Sequence, residues 1–183
     1  IFAALAFFLA GMNIFDAVNH AFSVAATGGF STKNASIGAY DSWLIEFVAV
    51  VFMLLGGMHF GLIYSTFAER SLKLFSSPIT KFYLGTVAVA TVLVSLDLFV
   101  HGVEGSFWEN IWNSLFNVVS FISTTGFGTV DTSVWPSLSI LLLIFLSIQC
   151  ACSGSTTGGL KSDRVFIFWK SFRVQLRMQM HPN

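Results

Sequence analysis

Charge and cysteine are both scarce in this sequence. Charged residues make up 10% of its 183 residues, whereas a soluble globular domain carries about a quarter. The nine basic and nine acidic residues cancel, so the charge balance does not indicate a nucleic-acid partner. Cys150 and Cys152 are too few for a disulfide framework and have no neighbouring histidine or cysteine to complete a metal site. The composition therefore excludes an ordinary soluble domain.

The sequence is rich in apolar residues. The chain is 55% hydrophobic, contains 21 phenylalanines and has a mean hydropathy of +0.77, which indicates a membrane protein. It opens at Ile1 within an apolar run, without a methionine or the basic region of a signal peptide. We therefore expect it to be part of a longer protein.

Two short segments combine a half-length helix with a loop of threonine and glycine. Residues 117–131 contain Ser123-Thr124-Thr125-Gly126, and residues 20–32 contain Ala26-Thr27-Gly28-Gly29. We call residues 26–29 the first TG loop and residues 123–126 the second TG loop. Each segment is shorter than the roughly 20 residues of a full span, yet lies between apolar runs. Non-helical backbone is tolerated at membrane depth only where it is buried in protein or lines a water-filled path. The pattern predicts two re-entrant pore loops in an ion-conducting protein.

The two loops belong to an internal repeat of roughly a hundred residues, consisting of an outer helix, a pore loop and an inner helix. Its equivalent positions are Ala26 and Ser123, Thr27 and Thr124, Gly29 and Gly126, and Phe30 and Phe127. The predicted fold class is an all-α polytopic membrane protein with tandem repeats.

The repeat defines two predicted domains. Residues 1–78 are the first repeat, with a truncated outer helix, a pore loop at 15–31 and an inner helix at 43–68. Residues 79–183 are the second repeat, with an outer helix at 81–100, a pore loop at 106–131 and a broken inner helix at 135–177. Gly56 and Gly57 would let the first inner helix bend or approach its neighbours.

The TG loops suit alkali-cation binding, because several carbonyl oxygens must replace the water shell of such an ion. Glycine allows the torsions that turn successive carbonyls toward one axis, and threonine adds a hydroxyl. A single Thr-Gly-Phe is more often a simple break between packed helices. Two copies at equivalent repeat positions favour the pore interpretation.

A polar, glycine-rich stretch interrupts the last inner helix at 150–159. We call residues 153–159 the glycine loop. Residues 154–162, GSTTGGLKS, approach the phosphate-binding pattern G-x-x-x-x-G-K-[ST], but Leu160 separates Gly159 from Lys161, and a membrane span precedes the motif. An unwound segment facing the pore is favoured, since lipid would leave its amides unsatisfied. A packed helix kink is the alternative.

Several of these segments together resemble the pore subunits of bacterial Trk-type potassium transporters, in the Trk/Ktr/HKT superfamily. They are AVNHAFSVAATGGFSTKNASIGAYDS, Gly56-Gly57 with HFGL, ERSLK, VVSFISTTGF and CSGSTTGGLK. The resemblance covers essentially the whole chain. It implies a channel-like pore of four repeats in pseudo-fourfold arrangement, of which this chain matches the second and third.

The resemblance also implies functional residues. The selectivity filter would use the backbone carbonyls of Ala26, Thr27, Gly28, Gly29, Ser123, Thr124, Thr125 and Gly126. The gate would be the glycine loop, comprising Ser153, Gly154, Ser155, Thr156, Thr157, Gly158 and Gly159. Potassium is then the transported ion, bound only by filter carbonyls, with no cofactor and no enzymatic activity.

The implied setting is the bacterial inner membrane, as a multi-pass protein contacting lipid. The implied partners are a second pore subunit in a homodimer and a cytosolic nucleotide-binding regulatory subunit, with no nucleic acid. Two alternatives stay open: a Ktr-type subunit with Na⁺-dependent K⁺ uptake, and a non-conducting membrane fragment. The coupling ion is also open.

Four ionisable residues lie on or near the ends of the apolar segments. Asp97, His101 and Glu46 lie near the outer ends of spans, and we interpret them as solvated at the interface, although intramembrane ionisable residues are functional candidates. His20 lies on the first pore helix, where we expect it to pack or to cap.

Basic residues divide unequally between the two sides of the membrane. Only Lys33 accompanies the TG loops, and the opposite side carries Arg70, Lys73, Lys81, Lys161, Arg164, Lys170, Arg173 and Arg177. The positive-inside rule therefore places the TG loops on the outer side. Five carboxylates share that side and would concentrate cations at a pore mouth: Asp16, Asp41, Glu104, Glu109 and Asp131.

This topology predicts the outcome of cysteine labelling in a background lacking Cys150 and Cys152. A cysteine at Ser36 should react with an impermeant thiol reagent added outside intact cells. A cysteine at Ser76 should react only after the membrane is opened. Equal labelling of both positions in intact cells would contradict the arrangement.

Overall fold

The computed structural model describes residues 1–69, 73–103 and 106–180. Arg70 and Glu104, assigned above to opposite sides of the membrane, lie outside the described residues. The helices of the described part are α1 (Phe2–Leu9), α2 (Ile14–Ala25), α3 (Trp43–Gly57), α4 (Phe60–Ala68), α5 (Lys73–Ser76), α6 (Pro78–His101), α7 (Phe107–Ile122), α8 (Ser137–Ile148) and α9 (Ser162–Met180). Short 3₁₀ turns lie at Ser36–Tyr40 and Thr132–Val134.

The two pore helices, α2 and α7, are half-length. They have 12 and 16 residues, or about 18 Å and 24 Å of helix, which is too short to cross a bilayer. Asn13 caps α2 by accepting a hydrogen bond from the Asp16 amide, and Ser106 forms a capping box with Glu109 at α7. Their starts are therefore encoded locally, because caps satisfy the free amides of a first turn.

The outer helix of the second repeat is α6. It has 24 residues with Pro78 in its first turn, and Gly102 ends it in a left-handed conformation. Among the described residues, it is the one helix long and apolar enough to cross a membrane alone. It packs against α7 and α8 and thereby holds the second pore helix in place.

The first inner helix is sharply bent. The sequence predicts one helix over residues 43–68, whereas the chain forms α3 and α4 at an angle of 104°. A Cβ on Gly57 would lie 2.5 Å from the Tyr83 hydroxyl and 3.0 Å from the Ala151 Cβ. Glycine is required there because α6 and the interrupted segment of the last inner helix both approach the bend closely.

The last inner helix breaks between α8 and α9. Strands β1 (Gln149–Cys150) and β2 (Leu160–Lys161) pair in parallel across the break, and α9 begins at Ser162. The Ser162 amide donates to the Ala151 carbonyl at 3.0 Å. The residues between the strands are thereby closed into a loop with a fixed base.

Asp97 corrects one expectation from the sequence. Its side chain is buried rather than solvated, and one carboxylate oxygen accepts hydrogen bonds from the Ser139 amide at 3.0 Å and the Ser139 hydroxyl at 2.6 Å. The carboxylate therefore serves the first turn of α8, where free amides and the helix dipole favour negative charge. Glu46 is also engaged, since it accepts a hydrogen bond from the Trp112 indole. His101 remains exposed.

Replacing Asp97 with alanine should lower the stability of the protein by about 1–3 kcal/mol, because the buried groups of Ser139 lose their acceptor. Thermal unfolding of the purified protein in detergent measures this effect. Lys81→Ala, an exposed position near the other end of the same helix, serves as the control and should melt like the unmodified protein. Equal melting of both variants would remove Asp97 from this role.

Candidate ion pathway

The first TG loop is a tight reversal at the end of α2. Ala26 still has helical torsions, with φ of −86°, whereas Thr27 and Gly29 have φ of 50° and 70°. The Gly28 amide donates to the Ser23 carbonyl at 2.8 Å. This is the hydrogen bond of a Schellman motif, which satisfies carbonyls at the end of a helix.

The second TG loop repeats this geometry at the end of α7. Ser123 has φ of −80°, and Thr124 and Gly126 have φ of 51° and 81°. The Thr125 amide donates to the Ser120 carbonyl at 3.0 Å. The equivalence read from the sequence therefore extends to individual torsions and hydrogen bonds.

Threonine in the left-handed region is the unusual feature of both loops. A positive φ is an outlier for a β-branched residue and costs about 1–2 kcal/mol. Thr27 and Thr124 both adopt it, at equivalent positions. Strain of this kind persists where the surrounding structure enforces it, and it concentrates at functional sites.

The carbonyl groups of both loops are free. Among the described residues, no amide or side chain donates a hydrogen bond to the backbone oxygens of Ala26, Thr27, Gly28, Gly29, Ser123, Thr124, Thr125 or Gly126. Eight unpaired carbonyls on two matched loops provide oxygen ligands of the kind that a dehydrated cation requires.

The two loops lie against each other. A Cβ on Gly29 would overlap the Thr125 carbonyl oxygen, so both the torsion and the neighbouring loop require glycine there. At Gly126 only the torsion requires it, because nothing lies within 4 Å of a Cβ at that position. Among the described residues, the second TG loop therefore has no neighbour beside Gly126, whereas the first TG loop contacts Thr125 at Gly29.

A polar cluster joins the chain that follows the first TG loop to the start of α2. Asp16 accepts hydrogen bonds from the Thr32 hydroxyl at 2.6 Å and from the Asn13 amide group at 2.8 Å. The Thr32 hydrogen bond lowers the pKa of the Asp16 carboxyl below its ordinary value. The chain after the loop is thereby tied to the start of α2, on the side assigned to the outside.

The glycine loop touches both TG loops through their strained threonines. The Thr27 hydroxyl donates to the Thr156 carbonyl at 3.3 Å, and the Thr124 hydroxyl accepts from the Gly158 amide at 3.2 Å. These contacts join residues far apart in sequence. The break in the last inner helix thus lies directly against the ends of both half-length helices.

Lys161 is a functional candidate that the sequence analysis does not single out. The predicted topology assigns it to the cytoplasmic side, and its ammonium group lies within the glycine loop. There it donates to the Thr157 carbonyl, to the Thr157 hydroxyl at 3.1 Å and to the Ser155 carbonyl at 3.4 Å. Its position beside a serine, threonine and glycine run was the available signal.

The bend between α3 and α4 holds the other side of the glycine loop. The Phe60 amide donates to the Gly154 carbonyl at 3.2 Å, and the Cys152 amide donates to the Gly57 carbonyl at 2.9 Å. Gly154 has φ of 76°, and a Cβ there would lie 3.0 Å from the His59 ring. The bend in the first inner helix is therefore hydrogen-bonded to the interrupted segment of the second inner helix.

These features define a class of protein. Two half-length helices end in matched, strained loops with free carbonyls, and a broken inner helix folds against both. This is the arrangement of a pore-loop membrane transport protein.

Comparison with known proteins identifies the family. The model of the TrkH family, described as cation transport protein, matches residues 1–183, and the chain belongs to this family. The Trk system potassium uptake protein TrkH of Escherichia coli K12 is 38% identical over 181 residues, which cover 98% of this chain and 38% of that protein. TrkG of the same organism is 33% identical over 178 residues, covering 95% of this chain and 36% of that protein.

A solved structure agrees with the sequence comparisons. The crystal structure of the potassium transporter TrkH from Vibrio parahaemolyticus superposes with a TM-score of 0.93 at 34% identity, covering 99% of this chain and 39% of that chain. The resemblance to Trk-type transporters and the predicted helical membrane fold are thereby confirmed. The chain spans less than two fifths of the length of these relatives.

The free carbonyls generate a prediction for Gly126. Gly126→Ser in the full-length protein should lower the preference for K⁺ over Na⁺, because a side chain resists the left-handed torsion that orients the loop carbonyls. Gly102→Ser is the matched control, since Gly102 has φ of 62° and open space but lies at the end of α6. For each variant, the ratio of K⁺ uptake to Na⁺ uptake is measured in cells. An unchanged ratio in Gly126→Ser would separate this residue from ion selection.

Proposed function

We propose that this chain forms half of a K⁺-selective pore that takes up potassium across the bacterial inner membrane. The observation that carries the proposal is the set of eight unpaired carbonyls on two loops with the same torsions. Carbonyl rings of this kind replace the water shell of K⁺. The family membership and the names of the relatives support the same substrate.

The charge distribution supports inward movement of a cation. Asp16, Asp41, Glu109 and Asp131 belong to the outer side in the predicted topology, whereas Lys33 is the single cation assigned there. Carboxylates at a pore mouth raise the local cation concentration. No covalent chemistry is required, and the ion is cargo rather than cofactor.

Two open surfaces support a pore completed by further repeats. Phe30, which follows the first TG loop, is 81% exposed, whereas its equivalent Phe127 is 1% exposed. Phe127 packs on the neighbouring pore helix, and the open side of Gly126 lacks such a neighbour. One further repeat beside each surface would give the pseudo-fourfold pore that the resemblance implies.

We assign the gate to the glycine loop. It contacts the ends of both TG loops, and Gly154 and Gly159 have positive φ values of 76° and 83°, which suit a hinge. The Lys161 ammonium ties its hydroxyls and carbonyls together and adds a positive charge on the path of a cation. A loop in this position obstructs the path until it moves.

The proposed partners concern the opposite side of the protein. Helix α9 is exposed along most of its length and carries Arg164, Lys170, Arg173 and Arg177. Such a surface suits anionic lipid headgroups. By resemblance, it also suits a cytosolic nucleotide-binding regulatory subunit beneath a homodimer of pore subunits.

Shortening the glycine loop tests the gate. A full-length variant lacking residues 154–158 should take up K⁺ faster than the unmodified protein at matched membrane abundance, while retaining its preference for K⁺ over Na⁺. Lys161→Met should act in the same direction by releasing the loop, and Lys170→Met on exposed α9 is the control for loss of charge. Flux that stays the same or falls in both folded variants would assign the loop to packing alone.

The same assay separates the alternative functions. Uptake that requires external Na⁺ would favour a Ktr-type mechanism, and the absence of flux from the full-length protein in reconstituted vesicles would favour a non-conducting role.

A further inference from the structure

His20 is a buried histidine behind the first TG loop to which the transport proposal assigns no task. It lies on α2 and is 0% exposed. Its Nδ1 lies 2.8 Å from the Asp16 carbonyl oxygen, and its Nε2 lies 2.8 Å from the Ser31 hydroxyl. The ring is thus bonded at both nitrogens, once to its own helix and once to the chain that follows the loop.

The partner of each ring nitrogen indicates the part that nitrogen plays in its hydrogen bond. A carbonyl oxygen only accepts, so Nδ1 carries the hydrogen and donates it to Asp16. Ser31 already accepts a hydrogen bond from the Lys33 amide at 3.1 Å, and its own hydroxyl hydrogen is free to be donated to Nε2. His20 therefore donates to its own helix through Nδ1 and shares a hydrogen bond with Ser31 through Nε2.

The ring also packs on the residue that follows the second TG loop. Its centroid lies 5.7 Å from that of Phe127, the residue directly after Gly126, and 5.6 Å from Tyr40 in an edge-on arrangement. Phe127 is itself fixed, because its carbonyl accepts from the Ser120 hydroxyl at 2.6 Å. His20 therefore joins the exits of both loops: Ser31 by a hydrogen bond and Phe127 by ring packing.

In the described part of the second repeat, the position equivalent to His20 makes no such link. The equivalent residue on α7 is Asn117, whose side-chain amide donates to the Asn113 carbonyl of its own helix at 2.9 Å. The link through a ring is thus made from the first repeat, and it adds to the contact of Gly29 with Thr125 and to the hydrogen bonds that join Gly38 and Ser36 to Gly128. A ring with two hydrogen bonds and aromatic neighbours has little freedom to move, which suits a spacer between two adjacent loops.

We propose that His20 is a positioning residue for ion selection, which sets the spacing of the two TG loops through Ser31 and Phe127. The inference rests on the proposed K⁺ transport and adds a residue that determines its selectivity. It acts without touching the ion, because the imidazole lies behind the loops and its nitrogens are both engaged. Loss of either connection lets one loop shift relative to the other, which changes the carbonyl spacing that distinguishes K⁺ from Na⁺.

The test uses two variants of the full-length protein that remove the same hydrogen bond from opposite ends. His20→Phe retains a ring against Phe127 but loses both nitrogens, and Ser31→Ala leaves the imidazole in place. Each should lower the K⁺/Na⁺ uptake ratio about threefold or more, as expected for one lost hydrogen bond. The double variant should be no worse than the single ones, because the two changes remove one interaction.

Asn117→Ala and Phe7→Leu are the controls. Asn117 is the equivalent residue of the other repeat, and Phe7 packs on the opposite side of the His20 ring with centroids 6.2 Å apart. Phe7→Leu should lower the melting temperature while leaving the ratio unchanged, so a purely structural role is distinguished from positioning.

The outcomes separate this inference from the function on which it rests. Selective K⁺ uptake by the unmodified protein, together with an unchanged ratio in Ser31→Ala, would overturn the role of His20 and leave the transport function standing. Absence of selective uptake in the unmodified protein would overturn both. Poor folding of His20→Phe does not decide the matter, because Ser31→Ala leaves the core intact and carries the test.

Discussion

The structure depends on one constraint: backbone that leaves the helix inside a membrane must find other partners for its polar groups. Three helices stop short here, at Ala25, Ile122 and Ile148. At the first two, amides fold back onto the helix end, and the carbonyls of the TG loops accept no hydrogen bond from the described residues. At the third, the parallel strand pair and the bend between α3 and α4 satisfy the backbone. The same constraint therefore produces loops with unpaired carbonyls at two breaks and a hydrogen-bonded loop at the third.

Close backbone approach links the two repeats into one unit. Gly29 allows the first TG loop to lie against the Thr125 carbonyl, and Gly38 allows the turn after it to lie against Thr129. Gly57 does the same for α6 and the interrupted inner helix. A side chain at any of these positions would overlap a neighbour. The two repeats are therefore packed backbone against backbone at these positions.

The two repeats share a backbone plan but differ in their polar support. The first uses ionisable groups, Asp16 and His20, to tie the return chain to its pore helix. The second uses the Ser120 hydroxyl, which donates to the Phe127 carbonyl. The buried Phe127 is matched by an exposed Phe30. Equivalent torsions with different supports are consistent with a pore whose quarters share one ion-binding geometry while each is stabilised by its own surroundings.

The sequence by itself determined what depends on short-range signals. Composition gave the membrane class, the caps at Asn13 and Ser106 started the pore helices, and the repeated Thr-Gly pattern located both loops and the break after α8. Only the tertiary structure decided the 104° bend, the buried bond of Asp97 with Ser139 and the inward course of Lys161. The physical reason is that each of these needs partners distant in sequence or on another element, or a side-chain direction that a single sequence does not encode. Helix caps and glycine torsions act within a few residues, whereas packing joins residues that only the folded chain brings together.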